Sequence, residues 1–311
     1  MKSNATKKPA AAVGPKPPVI GDEFTGLSIG EAHEKLWDRE IYSKSMIGQW
    51  YKCGVQSELR HVYGHKVPPG FVVAMGSTYA SLKDVGWAQR ILAGEAPMSD
   101  EEAEQFVHEE WARQMEHVEE PEAKDAHLAV VKKRRILDAF HIFDGQWRMD
   151  WRSLTGELTG AEQRVGYDGS VEVEDEYGTK VRLSATPDML FENAVGDDKF
   201  VGMRSRYRRY NRWAYEAGHV SLVTGKKTFF LFPAIHDFQR KTDVEVKECP
   251  QGDDTHSIVI SKAAHFKRAI DKGIFPAPEA IPGTFPCHPK WCGYFGRQCP
   301  ITKHLKREDF E

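Results

Sequence analysis

No apolar run in this sequence approaches the roughly 20 residues that a membrane-spanning helix needs, so no membrane contact is expected. The first residues, MKSNATKKPAAAVGPKPP, lack the apolar core of an export signal, and residues 1–20 read as a disordered basic tail. The excess of acidic over basic residues is also small. With 43 Lys and Arg against 46 Asp and Glu, the net charge is only -3, so any nucleic-acid-binding surface must be local. Cysteine is sparse, at five residues. Without an export signal these thiols are expected in a reducing cytoplasm, where metal ligation is a more natural use than disulfides.

What is present suffices for a sizeable core: 311 residues, many of them charged or aromatic. The pattern predicts a helical part over 21–145, beginning with a short helix from Leu27 to Trp37. A second helix, capped by Ser43 or Ser45, leads to Cys53. Helices follow over Ser77–Leu92, over Ser99–Glu116 behind the capping box Ser99-Asp100-Glu101-Glu102, and over Asp125–Phe143 with the basic run Lys132-Lys133-Arg134-Arg135. Strands take over after Trp147, with a hairpin through Val171, Val173 and Val181.

The stretch KVRLSATPDMLFENAVGDDK, Lys180 to Lys199, carries the chemistry. It reads as a strand ending at Thr186-Pro187-Asp188, a turn at Glu192 and Asn193, and a second strand closed by Asp197-Asp198-Lys199. Strand side chains alternate faces, so Asp197 and Lys199 point one way and Asp198 the other. That parity selects Asp197 as the working carboxylate. Asp188 and Asp197, on adjacent strand ends, suit one or two Mg2+ or Mn2+ ions, and Lys199 would orient the attacking water. Glu162 and Glu172 are further carboxylates, each read as an exposed strand-edge residue. Behind Lys199 a long helix runs to about Gly218, followed by a strand and a turn near Gly225. Arg204, Arg208 and Arg212 share one of its faces, with Arg209 at the edge, and form a phosphate track. A strong strand over Thr228–Phe232, a strand or loop with Cys249 and a basic helix over Ser261–Lys272 complete the core.

Near the C-terminus, Cys287, Cys292 and Cys299 are spaced C-x4-C-x6-C in a Pro- and Gly-rich loop. Three close thiols imply a metal, with Cys53, Cys249, His288 or His304 as the fourth ligand. Spacing alone leaves zinc and iron-sulfur both open.

The order of these motifs resembles the PD-(D/E)xK nuclease superfamily, and within it the RecB-like exonucleases with an iron-sulfur cluster found in CRISPR adaptation modules, phages and AddB-type helicase-nucleases. The motifs are Ser43-Lys44-Ser45 before a lone cysteine, a helix opening at Gly76, the Pro187-Asp188 and Asp197-Asp198-Lys199 pair, a helix with Tyr215, and the terminal cysteines. The resemblance spans roughly Ile41 to Cys299. It implies an α/β fold with a restriction-endonuclease-like core of mixed central sheet flanked by helices, the core over 146–275, and an iron-sulfur segment over 276–311. It assigns a [4Fe-4S] cluster to Cys53, Cys287, Cys292 and Cys299, leaving Cys249 out. It also implies a cytoplasmic location in a bacterium or a phage-infected host cell, and recombination or CRISPR-adaptation proteins as partners.

Two positions depart from the family pattern. Where the family carries a metal-ligating histidine after G-x-x-x, this sequence has Ala80, with Asp84 one turn on as a substitute; where it carries Q-x-x-x-Y, Asn211 and Tyr215 stand. The expected activity is therefore metal-dependent exonucleolytic hydrolysis of DNA at single-stranded ends. The alternative is a catalytically silent DNA-binding or partner protein that keeps the nuclease scaffold.

Overall fold

The computed structural model describes residues 41–63, 65, 70–116, 118, 121–161, 171–199, 214–233, 242–249, 252–277, 287, 292, 294–302 and 304–306. The chain divides into two compact units, one formed by 41–44 and 68–261 and the other by the remainder. Among the described residues no helix is long and apolar enough to cross a membrane.

The larger unit is mixed α/β. A five-stranded sheet has the order β2-β5-β6-β7-β8, built from β2 (Leu158–Ala161), β5 (Met189–Phe191), β6 (Ala194–Asp198), β7 (Lys227–Pro233) and β8 (Val244–Glu248). Neighbours are antiparallel except β6 and β7, which are parallel, with Asp197 opposite Phe230 and Asp198 opposite Leu231. A parallel pair needs a crossover, and helix α6 (Ala214–Thr224) lies within it. A smaller sheet, β1-β4-β3, joins β1 (Ile41–Ser43) in parallel to β4 (Lys180–Ser184), which hairpins with β3 (Val171–Glu174).

Helices α3 (Phe71–Lys83), α4 (Asp100–Met115) and α5 (Ala126–Gln146) bury one apolar cluster with the large sheet. Its aromatic centre sets Trp87 edge-on to Phe143 and Trp147, at ring separations of 4.8 and 5.0 Å. The Ser99 capping box forms as expected, with both reciprocal bonds present, and Asp125 caps α5.

Several elements depart from the sequence expectation. Helix α3 starts at Phe71, because the run after Gly70 is apolar enough to bury Ala74, Met75 and Tyr79. It continues through a π turn, Asp84–Ala88, into Gln89–Leu92. After α5 the backbone stays helical through Thr155, because Trp147 and Trp151 bury against the same cluster. The stretch after Gly218, expected as a strand, is helical to Thr224. Gly218 lies inside α6, where an added Cβ would come within 2.4 Å of Thr255 Cγ2, so it serves close packing instead of termination. The strand expected to end at Thr186-Pro187-Asp188 is β4 and stops at Ser184; a further strand, β5, which was not expected, follows immediately after Asp188 in the other sheet. The last helix among the described residues, α7, spans Asp253–Ile270, starting earlier than expected. The helix expected over Leu27–Trp37 lies outside the described residues.

Helix α1 (Lys44–Lys52), which belongs to the smaller unit from Ser45 onward, is followed by α2 (Gly54–His61). Cys53 is the N-cap of α2, not the end of a single helix, and its Sγ accepts the Gln56 backbone N–H at 3.4 Å. Gly54 N–H donates to the Pro276 carbonyl at 2.8 Å, and a Cβ at Gly54 would lie 2.4 Å from the Pro276 nitrogen.

Candidate active site and cysteine cavity

Register builds the acidic site. The turn at Glu192 and Asn193 folds β5 back on β6 with Met189 opposite Gly196, so Asp188 meets the Asp197-Asp198 end of β6. There an Asp188 oxygen accepts the Asp198 backbone N–H at 2.5 Å. Lys199 prolongs the parallel ladder by donating its backbone N–H to the Leu231 carbonyl at 2.8 Å. Its Nζ returns to Asp197 at 2.7 Å and reaches Glu216 of α6 at 2.9 Å. The expected shared face of Asp197 and Lys199 is thus present as an ion pair.

Three further contributors were not anticipated. Lys44 follows β1, whose register sets Ser43 opposite Ser184, and its Nζ lies 2.5 Å from the same Asp197 oxygen. Lys83, at the end of α3, is 2% exposed and ion-paired with Asp198. Asp198, which strand parity passed over in favour of Asp197, is therefore held in a buried ion pair. His219 of α6 is fully buried, with Nε2 2.9 Å from the Ser184 carbonyl. A carbonyl only accepts, so Nε2 carries the proton and Nδ1 is bare. Nδ1 has no hydrogen-bond partner among the described residues.

Electrostatics follow this geometry. Burial and the charges of Asp197 and Asp198 push the Asp188 carboxyl well above its usual range. Burial also raises Asp198, although Lys83 opposes it. Burial works against charge on Asp197 too, but Lys199 and Lys44 more than offset it, holding this carboxyl below the usual range. Lys199 is likewise held charged: burial disfavours its ammonium, and Asp197 and Glu216 outweigh that cost. A permanently protonated Lys199 is suited to stabilising negative charge, not to accepting a proton.

The other expected site residues divide clearly. Tyr215 lies in α6, its ring 6.4 Å from that of His219. Arg204, Arg208, Arg209, Asn211, Arg212 and Glu162 lie outside the described residues. Glu172 is exposed and pairs with Lys180 in the small sheet, as its strand-edge reading anticipated. Asp84 accepts from Gln89 on the protein surface. In the basic run of α5, Lys132 is fully buried, while Lys133 meets His108 and Arg134 pairs with Asp138.

In the smaller unit, Cys53, Cys287, Cys292 and Cys299 line one cavity together with Gln56, Leu59, Tyr294 and Ile301. All five cysteines of the chain are free thiols. Gln56 touches two of the four, through its backbone N–H to Cys53 and its side-chain amide to Cys292 at 3.8 Å. Turns fold the loop around them, with Cys299 N–H on the Tyr294 carbonyl and Thr302 N–H on the Cys299 carbonyl. The Tyr294 hydroxyl ties this loop to the His65 carbonyl at 2.9 Å. Burial raises Cys53 to about 11; the Gln56 N–H opposes the rise, and Cys292, Cys299 and Cys287 add to it. Cys287 and Cys292 are raised by burial and by neighbouring thiols. Cys249 is absent from this cavity and packs beside Phe230 and Phe232 in the larger unit. Among the described residues, no three His, Cys, Asp or Glu side chains converge on a single-ion position.

No family model matches the chain, and no curated protein matches it. Among solved structures it is similar to a candidate exonuclease from Eubacterium rectale, at 12% identity and a TM-score of 0.45 over 84% of this chain and 92% of that one. It is also similar to the protein SSO0001, at 8% identity and a TM-score of 0.37 over 86% of this chain and 91% of that one.

Proposed function

We propose that this chain is a metal-dependent deoxyribonuclease that hydrolyses phosphodiester bonds at single-stranded DNA ends. The observation that carries the reading is the buried constellation of Asp188 beside Asp197 with Lys199 on Asp197 at 2.7 Å. Two carboxylates forced together repel, and a divalent cation relieves that repulsion. The donor set fits Mg2+ or Mn2+, which bind through one or two carboxylates plus water and substrate phosphate and need no closed protein cage. When bound, such an ion lowers the pKa of its water and neutralises charge on the phosphate. Asp188 and Asp197 hold the ion in this reading. Lys199, kept protonated between Asp197 and Glu216, orients the nucleophile and offsets charge on the reacting phosphate. Arg204, Arg208, Arg209 and Arg212, with Asn211 and Tyr215, carry the DNA strand.

The cysteine cavity supports a structural [4Fe-4S] cluster on Cys53, Cys287, Cys292 and Cys299. Four thiols around one cavity match a soft, multinuclear group, and N–H groups aimed at sulfur are the contacts such clusters use. Iron against zinc content of anaerobically purified protein tests this, with stoichiometric zinc and no iron as the contrary result.

Two observations favour a second reading, a catalytically silent DNA-binding protein. Asp197 already holds two ammonium groups, Lys44 and Lys199, and α3 carries Ala80 in place of an imidazole. End-labelled single- and double-stranded DNA incubated with Mn2+, Mg2+ or EDTA separates the two. Metal-dependent shortening of single strands from an end supports the nuclease; salt-sensitive binding without cleavage supports the silent form.

A further inference from the structure

Helix α3 sends two side chains, one turn apart, toward the acidic site. They are Tyr79, which feels the charges of Asp198 and Asp188, and Lys83. Gly76, Ala80 and Lys83 recur at helical spacing on one face, so that face carries an ammonium group at its end. That ammonium sits in a closed environment. Lys83 pairs with Asp198 and lies 5.1 and 5.7 Å from the ring centroids of Phe143 and Tyr79.

Charge balance gives the pairing a consequence. With all four carboxylates of Asp188, Asp197, Asp198 and Glu216 ionised, as ion binding to Asp188 requires, they face the three ammonium groups of Lys44, Lys83 and Lys199 with one net negative charge. One divalent ion turns that into a single positive charge. A second would leave three positive charges in a largely buried site, where uncompensated charge is costly.

We propose that Lys83 is a fixed cation standing in for a second metal ion, so that the site takes one divalent ion on Asp188 and Asp197 while Asp198 is committed to Lys83. This rests on the assignment of Asp188 and Asp197 as the metal pair. Lys83 acts here as a positioning residue: it keeps Asp198 out of metal ligation.

Mn2+ titration of the full-length protein, with free Mn2+ read by its electron paramagnetic resonance signal, tests the proposal. The wild type is expected to bind one Mn2+, and Asp197→Asn none. Lys83→Met is expected to bind two, and the double variant Lys83→Met with Asp198→Asn to return to one. Two ions on the wild type, or an unchanged single ion on Lys83→Met, overturn the proposal while leaving the metal pair intact. No ion on the wild type overturns the metal pair and the proposal with it. If Lys83→Met does not fold, Lys83→Gln, which keeps an N–H for Asp198 but no charge, takes its place: two ions are expected, and one ion overturns the proposal.

Discussion

Replacing His219 by glutamine probes the packing of α6 against β4 through its proton balance. His219 is fully buried, with Nε2–H on the Ser184 carbonyl and the Lys44 ammonium close enough to disfavour a second charge; Glu216 opposes that effect. Burial is the largest cause, and together these pull the imidazole down from 6.5 to about 4. In the unfolded chain the ring titrates near its ordinary value. Between about pH 6.5 and pH 4 the unfolded state therefore binds a proton that the native state refuses, and stability falls as the pH falls. At about 1.36 kcal/mol per tenfold difference in proton affinity, the loss attributable to His219 between pH 7 and pH 4 is roughly 3 kcal/mol. Glutamine keeps an N–H for Ser184 and does not titrate. Urea unfolding at a series of pH values, wild type against His219→Gln, should show the wild type losing about 3 kcal/mol more than the variant across that window. Parallel curves for the two proteins would refute the reasoning, because they would mean that the imidazole is protonated in the native state.

Three other outcomes follow from packing and chemistry. Lys83→Met should cost about 3–5 kcal/mol in chemical denaturation, the usual penalty for leaving a buried carboxylate without its partner, and adding Asp198→Asn should recover most of it. Gly54→Ala drives a Cβ into the Pro276 backbone beside Cys53; purified variant is expected to lose metal from the cysteine cavity, and wild-type metal content would contradict the close approach. Gln56→Leu removes the side-chain N–H donor to Cys292 while leaving the backbone donor to Cys53. It should make the cysteine-bound group more labile in air without unfolding the chain, as followed by the decay of its visible absorption.

Local patterns in the sequence were legible where one element decides the outcome. Alternation placed Asp197 and Lys199 on a shared strand face, Ser99 and Glu102 announced a capping box, and Asp125 announced the start of α5. The gathering of Cys53 with Cys287, Cys292 and Cys299 came from the family resemblance, since their spacing leaves the fourth ligand open. What escaped depends on tertiary packing. Lys44 and Lys83 carry no local mark of an active site. One reaches Asp197 because β1 pairs with β4, and the other reaches Asp198 because α3 packs into the core. The run His219-Val220-Ser221-Leu222-Val223 has β-branched residues and a preceding glycine, which argue locally for a strand. The contact of Gly218 with Thr255 and the burial of Val220 and Val223 favour the helix instead.

The central claim is that Asp188, Asp197 and Lys199 form a metal-dependent hydrolytic site despite Ala80. The most direct test is cleavage of end-labelled single-stranded DNA by anaerobically purified protein with Mn2+ or EDTA, beside Asp197→Ala, Lys199→Met and Ala80→His. The account predicts end-directed cleavage by the wild type that disappears with EDTA and in both Asp197→Ala and Lys199→Met. Cleavage by Ala80→His alone, or wild-type cleavage that persists in Asp197→Ala, would contradict it.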